Sequence, residues 1–136
     1  MITLEVVARL KADATLAALL STYEGAAAVF SISPVPPDAV LPYIITDGNL
    51  SDNAADSKTT LGREIYRDIR CYAVANGSIV MIDAIAERVR WLFHRKSLTV
   101  DGHVNYHTTC SGPIRAETDE TVYGRVVTVR FMLQEV

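Results

Sequence analysis

The sequence predicts an α+β fold, a mainly antiparallel sheet with helices packed on one face, and three observations carry that prediction. Ile79, Ile82, Ile85, Ala86, Val89, Leu92 and Phe93 recur at helical spacing and form one apolar face. Val127, Val129, Phe131 and Leu133 alternate with Thr128, Arg130, Met132 and Gln134, the period of a half-buried strand. The order of such segments (helices, strands, a helix, strands) is not a regular βαβ alternation, so the strands pair mainly antiparallel.

Element by element, Leu4 to Lys11 reads as a short helix. Asp13 is a good N-cap for a second one, whose Leu16, Leu19 and Leu20 fall on one stripe and for which Gly25 is a plausible stop. Val29 to Ile32 reads as a strand. Ser33-Pro34-Val35-Pro36-Pro37 cannot be helical and reads as a stiff connector. Pro42 to Thr46 is the next strand, beginning at its proline. Residues 48–60 are Asn, Asp, Ser and Ala with almost no large apolar side chain, which predicts a long mobile loop.

Glu64 to Val74 is a strand with Ile65, Ile69, Cys71 and Ala73 on one side and Tyr66, Asp68, Arg70 and Tyr72 on the other; Arg67 interrupts the apolar side, which predicts that this end reaches solvent. Asn76-Gly77 makes a turn, Ser78 can cap the helix from Ile79 to His94, and Arg90, His94, Arg95 and Lys96 suit its C-terminal dipole. Leu98 to Val100 and Val104 to Cys110 read as a hairpin around Asp101-Gly102. Val126 to Leu133 is the closing strand.

The 136 residues suit one domain, with 49% hydrophobic and 21% charged residues, enough for a sizeable core. A net charge of −3 gives no global pull toward nucleic acid or anionic lipid. Glu5, Arg9, Lys11 and Asp13 interrupt any basic-then-apolar leader, and no apolar run approaches the roughly 20 residues that span a bilayer. With two cysteines, Cys71 and Cys110, and no CxxC pair, a reducing cytoplasm and core thiols are expected.

Motifs of chemistry are missing. GxSxG, GxGxxG and a P-loop do not occur. His103, His107 and Cys110 are the one cluster of metal-ligand types. On a regular strand the two histidines share a face, Cys110 points away, and no fourth ligand is evident, so neither a metal nor another cofactor is expected. Two surfaces stand out instead. Trp91 falls on the outer side of the long helix with Val80, Ala84 and Glu87, where an aromatic can anchor a protein contact. The outward strand face offers Tyr66, Arg70 and Tyr72, joined by Arg130 from the closing strand, residue types enriched in contact surfaces.

In layout, nearly the whole chain resembles the phage tail completion proteins of the family that also contains tail-to-head joining proteins of long-tailed phages. The segments that carry the resemblance are Leu10-Lys11-Ala12-Asp13-Ala14-Thr15-Leu16 with Leu19-Leu20, Pro42-Tyr43-Ile44-Ile45, a polar loop, and Asp68-Ile69-Arg70-Cys71-Tyr72. The helix from Ile79, the turn at Gly102 and Gly124-Arg125-Val126-Val127 complete it. The resemblance implies a non-enzymatic virion subunit, built in the host cytoplasm and carried at the head–tail junction. It implies a ring of identical copies, a hexamer, that closes the tail tube and contacts the tail-tube protein and the head connector. It implies no specific nucleic-acid binding and no membrane. The rival classes are a small cytoplasmic α+β binding or regulatory module and, with less support, an enzyme.

Overall fold

The structure, a computed structural model, describes residues 2–116 and 121–136. Helix α1 spans Thr3–Ala12, with Val6 and Leu10 buried one turn apart, Glu5 in its first turn and Arg9 and Lys11 in its last. Helix α2 spans Ala14–Leu19 and is capped as expected, the Asp13 carboxylate accepting the Leu16 N–H at 2.8 Å. Gly25 does not stop this helix. It sits with Glu24 in the two-residue turn of a small hairpin, β1 (Thr22–Tyr23) and β2 (Ala26–Ala27). Both turn residues have positive φ, 50° at Glu24 and 82° at Gly25, the twist such hairpins need.

The main sheet comprises β3 (Val29–Phe30), β4 (Tyr43–Ile45), β5 (Asn49–Ala54), β6 (Gly62–Val74), β7 (His103–Arg115) and β8 (Val122–Glu135). Its order is β3-β4-β6-β8-β7. Every pair is antiparallel except β3 with β4, which the proline-rich connector brings side by side in parallel. One edge of β6 is shared: β4 lies opposite residues 70–72 and β5 opposite residues 63–67. The other edge pairs with β8 along its whole length, Gly62 opposite Gln134 and Val74 opposite Val122.

Helix α3 (Val80–Phe93) buries Ile82, Ile85, Ala86, Val89, Leu92 and Phe93 of the predicted stripe, while Ile79, its first member, is the N-cap residue and is 49% exposed. With α1 and α2 it covers the sheet face that carries Ile65, Ile69 and Cys71 of β6 and Val127, Val129, Phe131 and Leu133 of β8, all in one buried cluster. Phe93 meets Phe131 edge to face at 6.2 Å between ring centres. The N-cap residue is Ile79, not the expected Ser78, although Ser78 Oγ accepts the Val80 N–H at 3.3 Å.

Four further sequence expectations are corrected. Residues 49–54, read as loop, form β5: the polar side chains leave the pattern featureless, yet the backbone pairs with β6. The hairpin closes at Gly62, where a Cβ would come within 2.4 Å of the Ala55 carbonyl oxygen. Arg67 does not reach solvent. It is 1% exposed, and its guanidinium donates to Thr46 Oγ1 (2.6 Å), the Thr46 carbonyl (2.8 Å) and Asn49 Oδ1 (2.9 Å), closing the β4–β5 corner. Burial pulls its pKa below the ordinary guanidinium value, and Asp47 opposes that shift.

Leu98 to Val100 is no strand. It makes one isolated bridge, Val100 with His103, and its Leu98 N–H donates to the Asn105 side chain at 2.7 Å; the long hairpin is β7 with β8. Finally, a bulge between Asn105 and His107 reverses the side-chain parity of β7. His103, opposite Glu135, and His107, opposite Met132, therefore face opposite sides of the sheet.

Candidate assembly surface

The outer side of α3 is open. Val80, Ala84, Glu87 and Trp91 are all exposed, Val80 at 74% and Trp91 at 55%. The indole is held in place by charge. The Arg88 guanidinium lies 4.0 Å and the Lys96 ammonium 3.3 Å from the ring centre, and Lys96 also donates to the Trp91 carbonyl. Arg88 is fixed in turn by Asp13, with Nε to Oδ2 at 2.9 Å and Nη2 to Oδ1 at 2.8 Å. One carboxylate thus caps α2 and, through Arg88, orients Trp91 on another helix.

The Arg88 hydrogen bonds hold the Asp13 carboxyl below its ordinary 3.8, against the upward pull of burial. A carboxylate depressed in the folded state stabilises above the unfolded value and loses that contribution as pH falls through the folded one. Asp13→Asn keeps a capping side chain but loses the ion pair. It should unfold at lower urea concentration than wild type at pH 7, and the gap should close as pH falls below 3.8. A gap that persists unchanged into acid would refute this account.

The C-terminal end of α3 lies along the outer edge of β7. There the Cys110 N–H donates to His94 Nδ1 at 3.1 Å. Arg90 donates to the carbonyls of Cys110 (2.9 Å) and Gly112 (3.0 Å), and the Arg95 N–H donates to the Thr108 carbonyl at 2.8 Å. Between Thr108 and Gly112 this edge is therefore occupied and cannot take another strand. Two adjoining clefts of about 510 and 470 Å³ meet here, sharing His94 and Lys96. Burial, and the charges of Arg90, Arg95, His107 and Lys96, lower the pKa of His94 below its ordinary value.

Tyr66, Arg70, Tyr72 and Arg130 lie half-buried on the face of the sheet away from the helices, so the sheet separates them from the α3 surface. Both arginines already have partners within the chain: Arg70 pairs with Asp47 at 2.9 Å, and Arg130 Nε donates to Glu64 at 2.8 Å. Tyr66 lies directly opposite Arg130. Tyr72 belongs to a row that sequence reasoning missed. It runs Tyr72–Tyr43–Phe30–Tyr23, with ring centres 5.9, 5.8 and 5.1 Å apart, and ends where the Tyr23 hydroxyl donates to Asp38 at 3.0 Å. Only the pairing of β6 with β4 and of β4 with β3 brings these rings together.

Cys71 and Cys110 are buried, and burial pushes their thiols up to about 12 and about 11, so neither is a thiolate at neutral pH. Among the described residues no three His, Cys, Asp or Glu side chains form a metal-ligand set, and no helix is long and apolar enough to cross a membrane.

No family model matches the chain, and no curated protein matches it. Among solved structures, a chain from the virion of a native gene transfer agent particle superposes with a TM-score of 0.80, over 96% of this chain and 92% of that one, at 20% identity. At that identity the likeness is one of fold, and it extends over nearly the whole of both chains.

Proposed function

We propose that this chain is a structural subunit of a phage-like virion, a tail completion protein that closes the end of the tail tube as a hexameric ring and receives the head connector. The observation that carries the proposal is the end-to-end likeness to a virion chain. Fold alone does not assign function, so the surface must supply the rest. A ring needs a heterologous contact, in which one patch meets a different patch on the next copy. The outer side of α3 and the outward sheet face are two such patches, on opposite sides of the sheet. Trp91, rigid and more than half exposed, is the anchor of the first.

Trp91→Ala should weaken assembly by about 2 kcal/mol, roughly a thirtyfold rise in dissociation constant. The fold should stay intact, because Ile82, Ile85, Val89 and Leu92 remain buried. The measurement is light scattering or native mass of both proteins across concentration, with and without tail tubes, paired with circular dichroism. Assembly equal to wild type would remove Trp91 from the interface.

A further inference from the structure

We propose that adjacent copies meet edge to edge through charge: the acidic corner bearing Glu24 and Asp38 on one copy seats in the cationic cleft bearing Arg95 and Lys96 at the end of α3 on the next. This deepens the ring reading and rests on it. Among the described residues, ion pairs engage Asp13, Asp47, Asp52, Asp83 and Glu64 with arginines. Arg95 and Lys96 stay outside these pairs, beside β7. Arg88 and Arg90 are engaged by Asp13 and by backbone carbonyls, and Glu87 is the acid that faces the cleft.

Glu24 and Asp38 stay outside the pairs at the other edge, beside β3. The Glu24-Gly25 turn, with φ of 50° and 82°, projects outward and leaves Glu24 exposed. Asp38 is exposed and accepts the Tyr23 hydroxyl, whose pKa is raised first by that hydrogen bond and further by the charges of Asp38 and Glu24. Lys11 borders the same corner and leaves it one charge negative. The surroundings of His94 have the opposite sign: burial first, and then the charges of Arg90, Arg95, His107 and Lys96, lower its pKa.

The sheet order places the two regions at opposite edges, four strand spacings apart or about 19 Å. They cannot meet within one chain, and a head-to-tail, edge-to-edge arrangement of copies is what would bring them together. Strand addition is not available as the alternative along Thr108 to Gly112, because α3 already occupies that edge. Side chains must make the contact there. A concave cleft presenting Arg95 and Lys96, the latter resting on the Trp91 ring with no carboxylate partner among the described residues, also fits a carboxylate-bearing corner better than a duplex, where firm binding engages about six or more phosphates.

The test is charge reversal in the full chain, read as the concentration of half-association by light scattering. Arg95→Glu with Lys96→Glu, and separately Glu24→Lys with Asp38→Lys, should each raise that concentration about tenfold or more, because like charges then face each other. The quadruple variant, reversed on both sides, should recover association, which also shows that both double variants fold. Double variants that associate like an oligomeric wild type would overturn this contact and leave the ring reading standing. A quadruple variant as weak as the doubles, each folded by circular dichroism, would also overturn it. A wild type that stays monomeric at every concentration, alone and on tail tubes, would overturn both.

Discussion

Arg67→Met should lower the free energy of unfolding by about 3 kcal/mol and free β5 from the sheet. Two opposing terms decide the sign. Removing a buried guanidinium relieves its desolvation, and apolar side chains of similar volume often replace buried ions at little net cost. Here the partners are not charges that leave with it. They are the Thr46 hydroxyl and carbonyl, on a residue with 0% exposure, and the Asn49 side chain. Asn49 is exposed and can rehydrate. The two Thr46 acceptors cannot, and each buried unsatisfied group costs about 1–3 kcal/mol. Arg67→Lys should recover part of the loss, since one ammonium cannot span all three acceptors. Urea unfolding measures the total, and amide exchange locates it: residues 49–54 should exchange faster while β8 changes little. A loss below about 1 kcal/mol would mean that water replaces the guanidinium.

Phe131→Ala should cost about 4 kcal/mol, and the effect should be global. Phe131 is fully buried at the middle of β8, between Ile65 on β6 and Thr108 on β7, and its ring meets Phe93 of α3. Removing it opens a cavity where the helix layer joins the sheet and forfeits the edge-to-face contact. Against a typical total of about 5–15 kcal/mol, the loss takes a quarter or more of the stability. Chemical denaturation should show a lower midpoint by every spectroscopic probe at once, unlike Arg67→Met, whose change is concentrated at β5. Phe131→Leu should cost about 1.5 kcal/mol or less. An alanine variant within 1 kcal/mol of wild type would mean that α3 settles into the space, and that packing against β8 is not what holds it.

Much of this architecture is local in origin, and the sequence alone was enough for it. The stripe of α3, the alternation of β8 and the apolar side of β6 each depend on spacing along one segment, and every large apolar member of these patterns is buried except Ile79, at the helix N-cap. Asp13 lies one residue before its helix and caps it through a contact three residues away. The surface position of Trp91 follows from the same helical wheel.

What only the tertiary structure decided depends on distant partners. β5 has no apolar pattern to announce it and exists because β6 offers a free edge. Arg67 breaks an apolar alternation, so by pattern it belongs outside; acceptors 18 and 21 residues away make burial tolerable. The bulge that parts His103 from His107 appears only when β7 is laid against β8. The same holds for the assembly surface. Asp13 reaches Arg88 across 75 residues to orient Trp91, and Arg90 and His94 close the edge of β7 with hydrogen bonds to Cys110 and Gly112. Periodicity records which side of an element avoids water. Where a polar group finds its partner depends on how the elements are brought together, and single-segment patterns carry no trace of that.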